Sequence, residues 1–432
     1  MKIAVIGSGI AGLSCAYSLS RHHSRRVTLF EAESRLGGHT NTVDITVDGI
    51  EHAVDTGFLV FNHRTYPTLV RLFEELSVPI AKSEMSFSVS LAGELEWAGT
   101  SLASVFAQPA NLLRPRFLGM LSDIARFNGA ATSAMTTAGE ISLGDYLDAH
   151  RYGRAFRHWY LLPMAAAIWS CPTRAMLDYP FATFARFCHN HGLLAVRNRP
   201  QWYTVAGGAR EYVRRMARAI GDIRLSCPIA RIERTAAGVL LQIGSAASHP
   251  ATIERFDQVV LACHSDQALA MLATPSSAEC DVLGAVRYQP NTAYLHTDHT
   301  LLPRRRRVWA AWNYLGGAPD ETSRDATPQP VAVSYLINKL QRLPFRSPVI
   351  VTLNPATPPR ATHLLRRFEY AHPVFDAPAL EAQRRLPEIQ GVDRLWFAGA
   401  WTGYGFHEDG LKSGLSIANE LARAVRPALL AA

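Results

Sequence analysis

Lysine is almost missing from this chain. Only Lys2, Lys82, Lys339 and Lys412 occur among 44 basic residues, so the formal net charge of +8 over 432 residues is carried by arginine. An arginine surplus goes with arginine-rich coding, and it also suits an anionic partner such as a phospholipid surface. The densest run, Arg304-Arg305-Arg306-Arg307, follows Pro303 and reads as a solvated turn. No basic segment carries interleaved aromatics or a known reader motif, which argues against a nucleic-acid partner. The six cysteines (Cys15, Cys171, Cys188, Cys227, Cys263, Cys280) form no CxxC and no metal-ligand spacing, so reduced thiols and no metal are expected. No apolar run reaches 18 residues; the longest, 160–169, is too short to span a bilayer. Lys2 and the apolar stretch behind it imitate a signal peptide, but no convincing cleavage site follows, and a cytoplasmic location is expected. Also missing are GxSxG, HExxH and any cysteine–histidine signature. The chemistry therefore has to come from a bound cofactor.

What is present starts at the first residues. Lys2-Ile3-Ala4-Val5-Ile6 predicts a buried strand, and Gly7-Ser8-Gly9-Ile10-Ala11-Gly12 follows at once, opening a helical stretch. A second apolar run, Val27-Thr28-Leu29-Phe30, ends on Glu31, nineteen residues past Gly12. Strand, glycine turn, helix, strand and acid make the fingerprint of a dinucleotide site. Gly7 permits the tight turn, Gly9 lets backbone approach a pyrophosphate, and Gly12 lets helix and strand pack closely. N–H groups at the helix start face the phosphates, and the Glu31 carboxylate accepts from ribose hydroxyls.

The motif continues as Glu31-Ala32-Glu33-Ser34-Arg35-Leu36-Gly37-Gly38, a second phosphate-approaching loop that NAD-binding domains usually lack. Far along the chain, Leu395-Trp396-Phe397-Ala398-Gly399-Ala400 reads as a strand ending in small residues. It leads to Asp409-Gly410-Leu411-Lys412-Ser413-Gly414 and an apolar helix over 415–425. Together these stretches resemble the flavin-containing amine oxidase superfamily, which includes protoporphyrinogen oxidases, phytoene desaturases and polyamine oxidases. Four further stretches resemble a bacterial subgroup of NAD/FAD-binding, amine-oxidase-like proteins, often encoded beside cyclopropane-fatty-acid-synthase-like methyltransferases. They are residues 35–42, Asp55-Thr56-Gly57-Phe58, residues 202–208 and Gly403-Tyr404-Gly405-Phe406-His407-Glu408-Asp409-Gly410.

The resemblance implies an α/β fold: a Rossmann-like FAD-binding domain (1–75, 201–275, 390–432) interleaved with a mixed α+β substrate domain (76–200, 276–389). It implies FAD, held non-covalently, since no cysteine follows Cys280 to form a thioether and covalent attachment through His39 is the lesser reading. The residues assigned to the cofactor are Gly7, Ser8, Gly9, Ile10, Ala11, Gly12, Glu31, Ala32, Arg35, Gly37, Gly38, His39, Thr40, Ile229, Gly399, Phe406, Glu408, Asp409 and Gly410. A helix N-terminus beside the flavin would stabilise the negative charge that grows there on reduction. His407 and Tyr404 are the candidate catalytic residues, histidine being a poor helix cap. Asp409 reads equally as a flavin-site acid or a cap. Lys339, the only mid-chain lysine, lacks the usual context of an amine-oxidase lysine and reads as solvated.

Between the ends, 83–200 predicts a mostly helical region rich in Trp, Phe and Met. Helices are expected over 68–76, 211–220 and 266–272, and strands over 230–234, 238–243, 256–262, 291–296, 308–314, 331–337 and 349–353. Trp159, Tyr160, Met164, Ile168, Trp169, Phe181, Phe184 and Phe187 make any cavity there apolar. The reading is an FAD-dependent oxidoreductase that dehydrogenates a lipid-like substrate at carbon. The alternatives are an amine oxidase and a non-redox flavoprotein, either an isomerase resembling UDP-galactopyranose mutase or a scaffold of a lipid pathway. Residues 115–127 form an amphipathic pattern, with Phe117, Leu118, Met120, Leu121, Ile124, Ala125 and Phe127 on one side. This helix reads as packed on the substrate domain or, flanked by arginines, as a peripheral contact with the inner membrane surface.

Overall fold

Four successive buried residues, Ile3, Ala4, Val5 and Ile6, make Lys2–Ile6 the central strand of a five-stranded parallel sheet. The order across it is Asp222–Arg224, Arg26–Phe30, Lys2–Ile6, Gln258–Leu261 and Leu395–Phe397. A parallel sheet covered on both faces needs such near-continuous apolar runs. The computed structural model describes residues 1–22, 25–137, 141–169, 173–174, 176–195, 199–244, 252–316 and 332–423. Cys171, Val331 and Val425 lie outside the described residues.

Helix Ile10–Ser20 leaves the first strand and crosses the last helix, His407–Arg423, at small residues. A Cβ on Gly414 would collide with the Ala11 carbonyl oxygen and the Ser14 hydroxyl, and one on Gly12 with the Gly7 carbonyl oxygen. These two glycines set how closely helix and helix, and helix and turn, approach. The beginning and end of the chain are thereby locked together.

A seven-stranded sheet forms the second layer, in the order Leu364–Val374, Arg287–His296, Ile350–Leu353, Ala332–Leu336, Trp312–Gly316, Phe87–Leu91 and Leu95–Ala98. Two expectations are corrected here. The region expected to be mostly helical from residue 83 opens with a hairpin, because Phe87, Val89 and Leu91 alternate with serines and Gly93 supplies a left-handed turn residue. The strand expected over 308–314 begins only at Trp312, because Arg306–Val308 closes a helical turn behind Pro303, whose carbonyl accepts the Trp309 indole N–H at 2.7 Å.

Helices then build an aromatic core around Phe117, Phe127, Tyr146, Phe156, Phe181 and Phe184. Each fully buried phenylalanine stabilises the fold by roughly 2–3 kcal/mol. Helix Pro115–Thr137 contributes Phe117, Met120, Phe127 and Ala131 to that core. Of the two readings of the amphipathic pattern, Phe117, Met120 and Phe127 follow the packed one, with Phe117 edge-on against Trp97 and Phe106, whereas Leu118 stays exposed. No helix among the described residues is long and apolar enough to cross a membrane.

Candidate active site

A cavity of about 1460 Å³ runs from the carboxyl ends of the parallel strands to the aromatic helices. Its first end is made by the glycine turn. Gly7 adopts a left-handed conformation that aims its N–H at the Phe30 carbonyl (2.8 Å). Gly9 has ordinary backbone angles, and a Cβ there would meet nothing within 4 Å. Gly7 and Gly12 therefore serve the fold, whereas the space beside Gly9 is left for a ligand. Glu31, at the end of its strand, accepts the Ser8 N–H (2.8 Å) and hydroxyl (2.5 Å) and the Glu33 N–H (2.9 Å).

The second glycine loop is bonded to the first. Gly37 donates its N–H to the Ser8 carbonyl (3.1 Å), and Arg35 donates to the Gly38 carbonyl (2.9 Å). Gly37 and Gly38 both take left-handed angles that suit glycine. His39 follows them into the cavity wall, stacked on Tyr370 with ring centroids 5.0 Å apart and lying 5.2 Å from His372. Its buried Nε2 has no protein partner. A buried, unpartnered ring nitrogen on a residue of the cavity wall calls for a hydrogen-bond partner that the protein does not supply.

At the C-terminal loop, His407 begins the last helix and lines the cavity. Its ring stacks on Phe58 (3.9 Å) and its Nε2 shares a 2.6 Å hydrogen bond with the Tyr212 hydroxyl, which in turn bonds Thr40. Burial pushes the His407 pKa down to about 3, so the imidazole is neutral at physiological pH. Tyr404, Phe406 and Gly399 also line the cavity.

Five of the assigned residues do not reach it. Glu408 turns away and accepts the Thr68 and Leu69 N–H groups (2.9 Å each), capping helix Pro67–Glu75, which lacks a side-chain cap of its own. Asp409 accepts the Tyr404 (3.1 Å) and Phe406 (3.0 Å) N–H groups and so shapes the loop. Its burial raises the carboxyl pKa to about 6. Gly410 lets this helix approach Ile10, Gly12 packs on Gly7, and Thr40 sits behind His407. The remaining assigned residues, Gly7, Ser8, Gly9, Ile10, Ala11, Glu31, Ala32, Arg35, Gly37, Gly38, His39 and Ile229, all line the cavity.

Phe58, Tyr212, Tyr370 and His372 were not legible as site residues. The alternation of Phe368, Tyr370 and His372 is the strand signal that marks one face, but charged neighbours hide it. Asp55 is a separate buried node, accepting from Thr42 (2.5 Å), Ala209 (2.9 Å) and Gln341 (2.7 Å), outside the cavity. Lys339 pairs with Glu84 at 2.9 Å and does not line the cavity.

The buried histidines set an acid limit on stability. Burial lowers His407 to about 3 and His191, His296 and His372 to about 4. An unfolded histidine titrates near 6.5, so below that pH the unfolded chain binds protons that the fold refuses. Asp55 and Asp409, raised to about 6 by burial, bind protons in the fold and oppose this between about pH 6 and 4. Four groups outweigh two, and each net proton taken up on unfolding costs about 1.4 kcal/mol per pH unit. The melting temperature should fall from pH 6.5 to 5, and a rise over that interval in a calorimetric scan contradicts the neutral, buried histidines.

A glycine-walled cradle running into an aromatic chamber, with a helix N-terminus at the junction, is the layout of a flavoprotein. The chain belongs to the flavin-containing amine oxidoreductases, whose family model matches residues 10–422, and it is an FAD-dependent oxidoreductase. No curated protein sequence matches it. Solved structures share the fold at low identity. A CLA-producing fatty acid isomerase from P. acnes is 12% identical with a TM-score of 0.66, covering 97% of this chain and 98% of its own. Putrescine oxidase bound to putrescine is 14% identical with a TM-score of 0.66, and the cyclohexylamine oxidase of Brevibacterium oxydans IH-35A 17% with 0.61; each match covers 98% of this chain and 99% of the other. The residues present fit FAD: the open Gly9 and the two bonded glycine loops suit a pyrophosphate, Glu31 a ribose, and His39 and His407 the flavin end.

Proposed function

We propose that the enzyme dehydrogenates an apolar, acyl-type substrate at a carbon–carbon bond. The observation that carries this is the chamber wall. Between residues 83 and 202 the described lining residues include Trp97, Tyr160, Met164, Ile168, Trp169 and Phe187, with no carboxylate and no lysine. An ammonium substrate would find no counter-ion in that stretch, and Glu369, which lines the cavity from the sheet, is already paired with Arg367 and bonded to Thr292. His191 in the same wall is held neutral, its pKa lowered to about 4 by burial. Arg199 is the one charged lining residue of that stretch. Its Nε is spent on the Ala195 carbonyl (2.7 Å), and no carboxylate pairs with its guanidinium among the described residues. An apolar chain ending in a carboxylate satisfies both features.

FAD, when bound, would take up the hydride from one carbon and, in its reduced form, the proton lost from the next, so that one new double bond reduces one flavin. The protein contributes orientation along the chamber, exclusion of water by the aromatic wall, and a neutral imidazole at the helix N-terminus. The fold itself accepts either chemistry, since its relatives in structure include a fatty acid isomerase and a putrescine oxidase. The test is anaerobic titration of the holoenzyme with oleic acid and with putrescine, reading the visible flavin absorbance and the recovered acid. Oleic acid should bleach the flavin and return with one more double bond, while putrescine leaves it oxidised. Arg199→Met should raise the oleic acid concentration needed by about tenfold, the worth of one charge-assisted pair. Bleaching by putrescine alone, or an acid whose double bond has moved without net oxidation, overturns the proposal.

A further inference from the structure

We infer that the segment 102–118, together with the arginine turn 304–307, is a docking surface for an anionic phospholipid bilayer. Four large apolar side chains stand in solvent within this short segment: Leu102 (79% exposed), Leu112 (54%), Leu113 (88%) and Leu118 (44%). Only ten such side chains are exposed among the described residues, and the other six are scattered from Ile50 to Val392. Single exposed leucines are ordinary; four in one short stretch mark a contact surface. Leu102 opens helix Leu102–Val105, Leu112 and Leu113 end the helical turn Pro109–Leu113, and Leu118 lies on the flank of helix Pro115–Thr137 away from its buried phenylalanines.

The fold sets cations beside Leu102, and Arg116 stands among the other three. Helix Leu102–Val105 packs against the turn Arg306–Val308, and Ala98, Ala107 and Val308 form a small apolar cluster that joins the two. Glu96, buried beneath, accepts the backbone N–H groups of Arg304 (2.7 Å) and Arg305 (3.3 Å) and the Arg305 guanidinium (2.8 Å). One carboxylate thus fixes the turn and neutralises one of its four arginines. Arg306 lies over the Trp309 ring. Arg304 and Arg307 are exposed with no acidic partner among the described residues, and so is Arg116 between the leucines. Leucines that enter an interface and arginines that stay at its surface are the two components a bilayer with anionic headgroups selects. A second copy of the chain is a poor occupant, because a two-fold contact would bring the arginine turns together.

The position is also informative. Gly99 and Thr100 line the cavity, and Leu102 follows two residues later, within about 7 Å of chain. An amphiphile leaving the bilayer at Leu102 would meet the chamber mouth without crossing water. The surface itself follows from exposure and charge, and it does not depend on which substrate the chamber takes.

The experiment is co-sedimentation of holoenzyme with vesicles of phosphatidylcholine alone or mixed with phosphatidylglycerol, at low and high salt. Wild type should pellet with the mixed vesicles at low salt and be released at high salt, with little binding to phosphatidylcholine. Arg304→Glu/Arg307→Glu should weaken binding by at least about tenfold. Leu112→Asp/Leu113→Asp should abolish it at any salt. These side chains are exposed, so both variants should keep the flavin spectrum and melting temperature of wild type, which separates lost docking from lost fold. Wild type remaining in the supernatant with mixed vesicles, or either double variant binding as wild type does, overturns the inference. Failure of the oleic acid titration with intact vesicle binding would remove the substrate proposal alone.

Discussion

Gly9→Asp should give a folded, colourless protein. The Gly9 angles (φ −63°, ψ 177°) are open to any residue, and a side chain there enters empty space, so the fold has no objection to it. The cofactor does, because the new carboxylate stands where the pyrophosphate must approach. Like charges at that distance cost several kcal/mol, which lowers FAD affinity by roughly 10³ or more. Gly12→Ala should do the reverse damage. Its methyl would strike the Gly7 carbonyl oxygen and crowd Ala262, and backbone cannot step aside as a side chain can. Overpacking of this kind costs about 1–3 kcal/mol or more and disturbs the turn itself. Thermal melts with and without added FAD, and FAD released on denaturation, distinguish the two. A yellow Gly9→Asp protein refutes the assignment of that space to the pyrophosphate.

His407→Ala should keep FAD and lose turnover by about 10² or more, the scale of a positioned polar group at a reacting centre. The pH profile says which kind of group it is. With its pKa depressed to about 3, His407 cannot exchange a proton through its cationic form near neutrality, so it acts as a fixed neutral dipole at a helix N-terminus. The kcat profile of wild type should therefore show no limb near pH 6.5 that disappears in His407→Ala. Tyr212→Phe removes the partner of Nε2 and frees the ring to turn, so it should lower turnover less, by about tenfold. Flavin reduction at the wild-type rate in His407→Ala, measured with the true substrate, would reduce this residue to packing against Phe58.

Local spacing made much of this site legible. The glycine turn, Glu31 and the second glycine loop are near in sequence, and each residue has a reason that the adjoining strand and helix supply. Residues whose partners are remote carry no such local signal. Glu408 stands in a loop of apparent flavin residues, yet its carboxylate serves a helix start 340 positions away. Nothing near Pro67 announces that its helix lacks a cap of its own. Phe58 and Tyr212 become site residues only because the one stacks on His407 and the other bonds its Nε2. The helix from Pro115 shows the same limit in another form. Its apolar stripe was visible, but periodicity says only that a face is buried, and the aromatic core claimed it. The exposed Leu112 and Leu113 just before it belong to no period, so no pattern marks them.

The crossing of the first and last helices fixes when this protein becomes a protein. The central strand, Lys2–Ile6, is made long before its neighbour but one, Leu395–Phe397, and before the helix that Gly414 seats on Ala11. The emerging chain holds its glycine turn half-walled while the residues between these strands are made. A complete cradle for the cofactor therefore exists only once helix His407–Arg423 has been made, a consequence of the order in which the ribosome delivers the pieces.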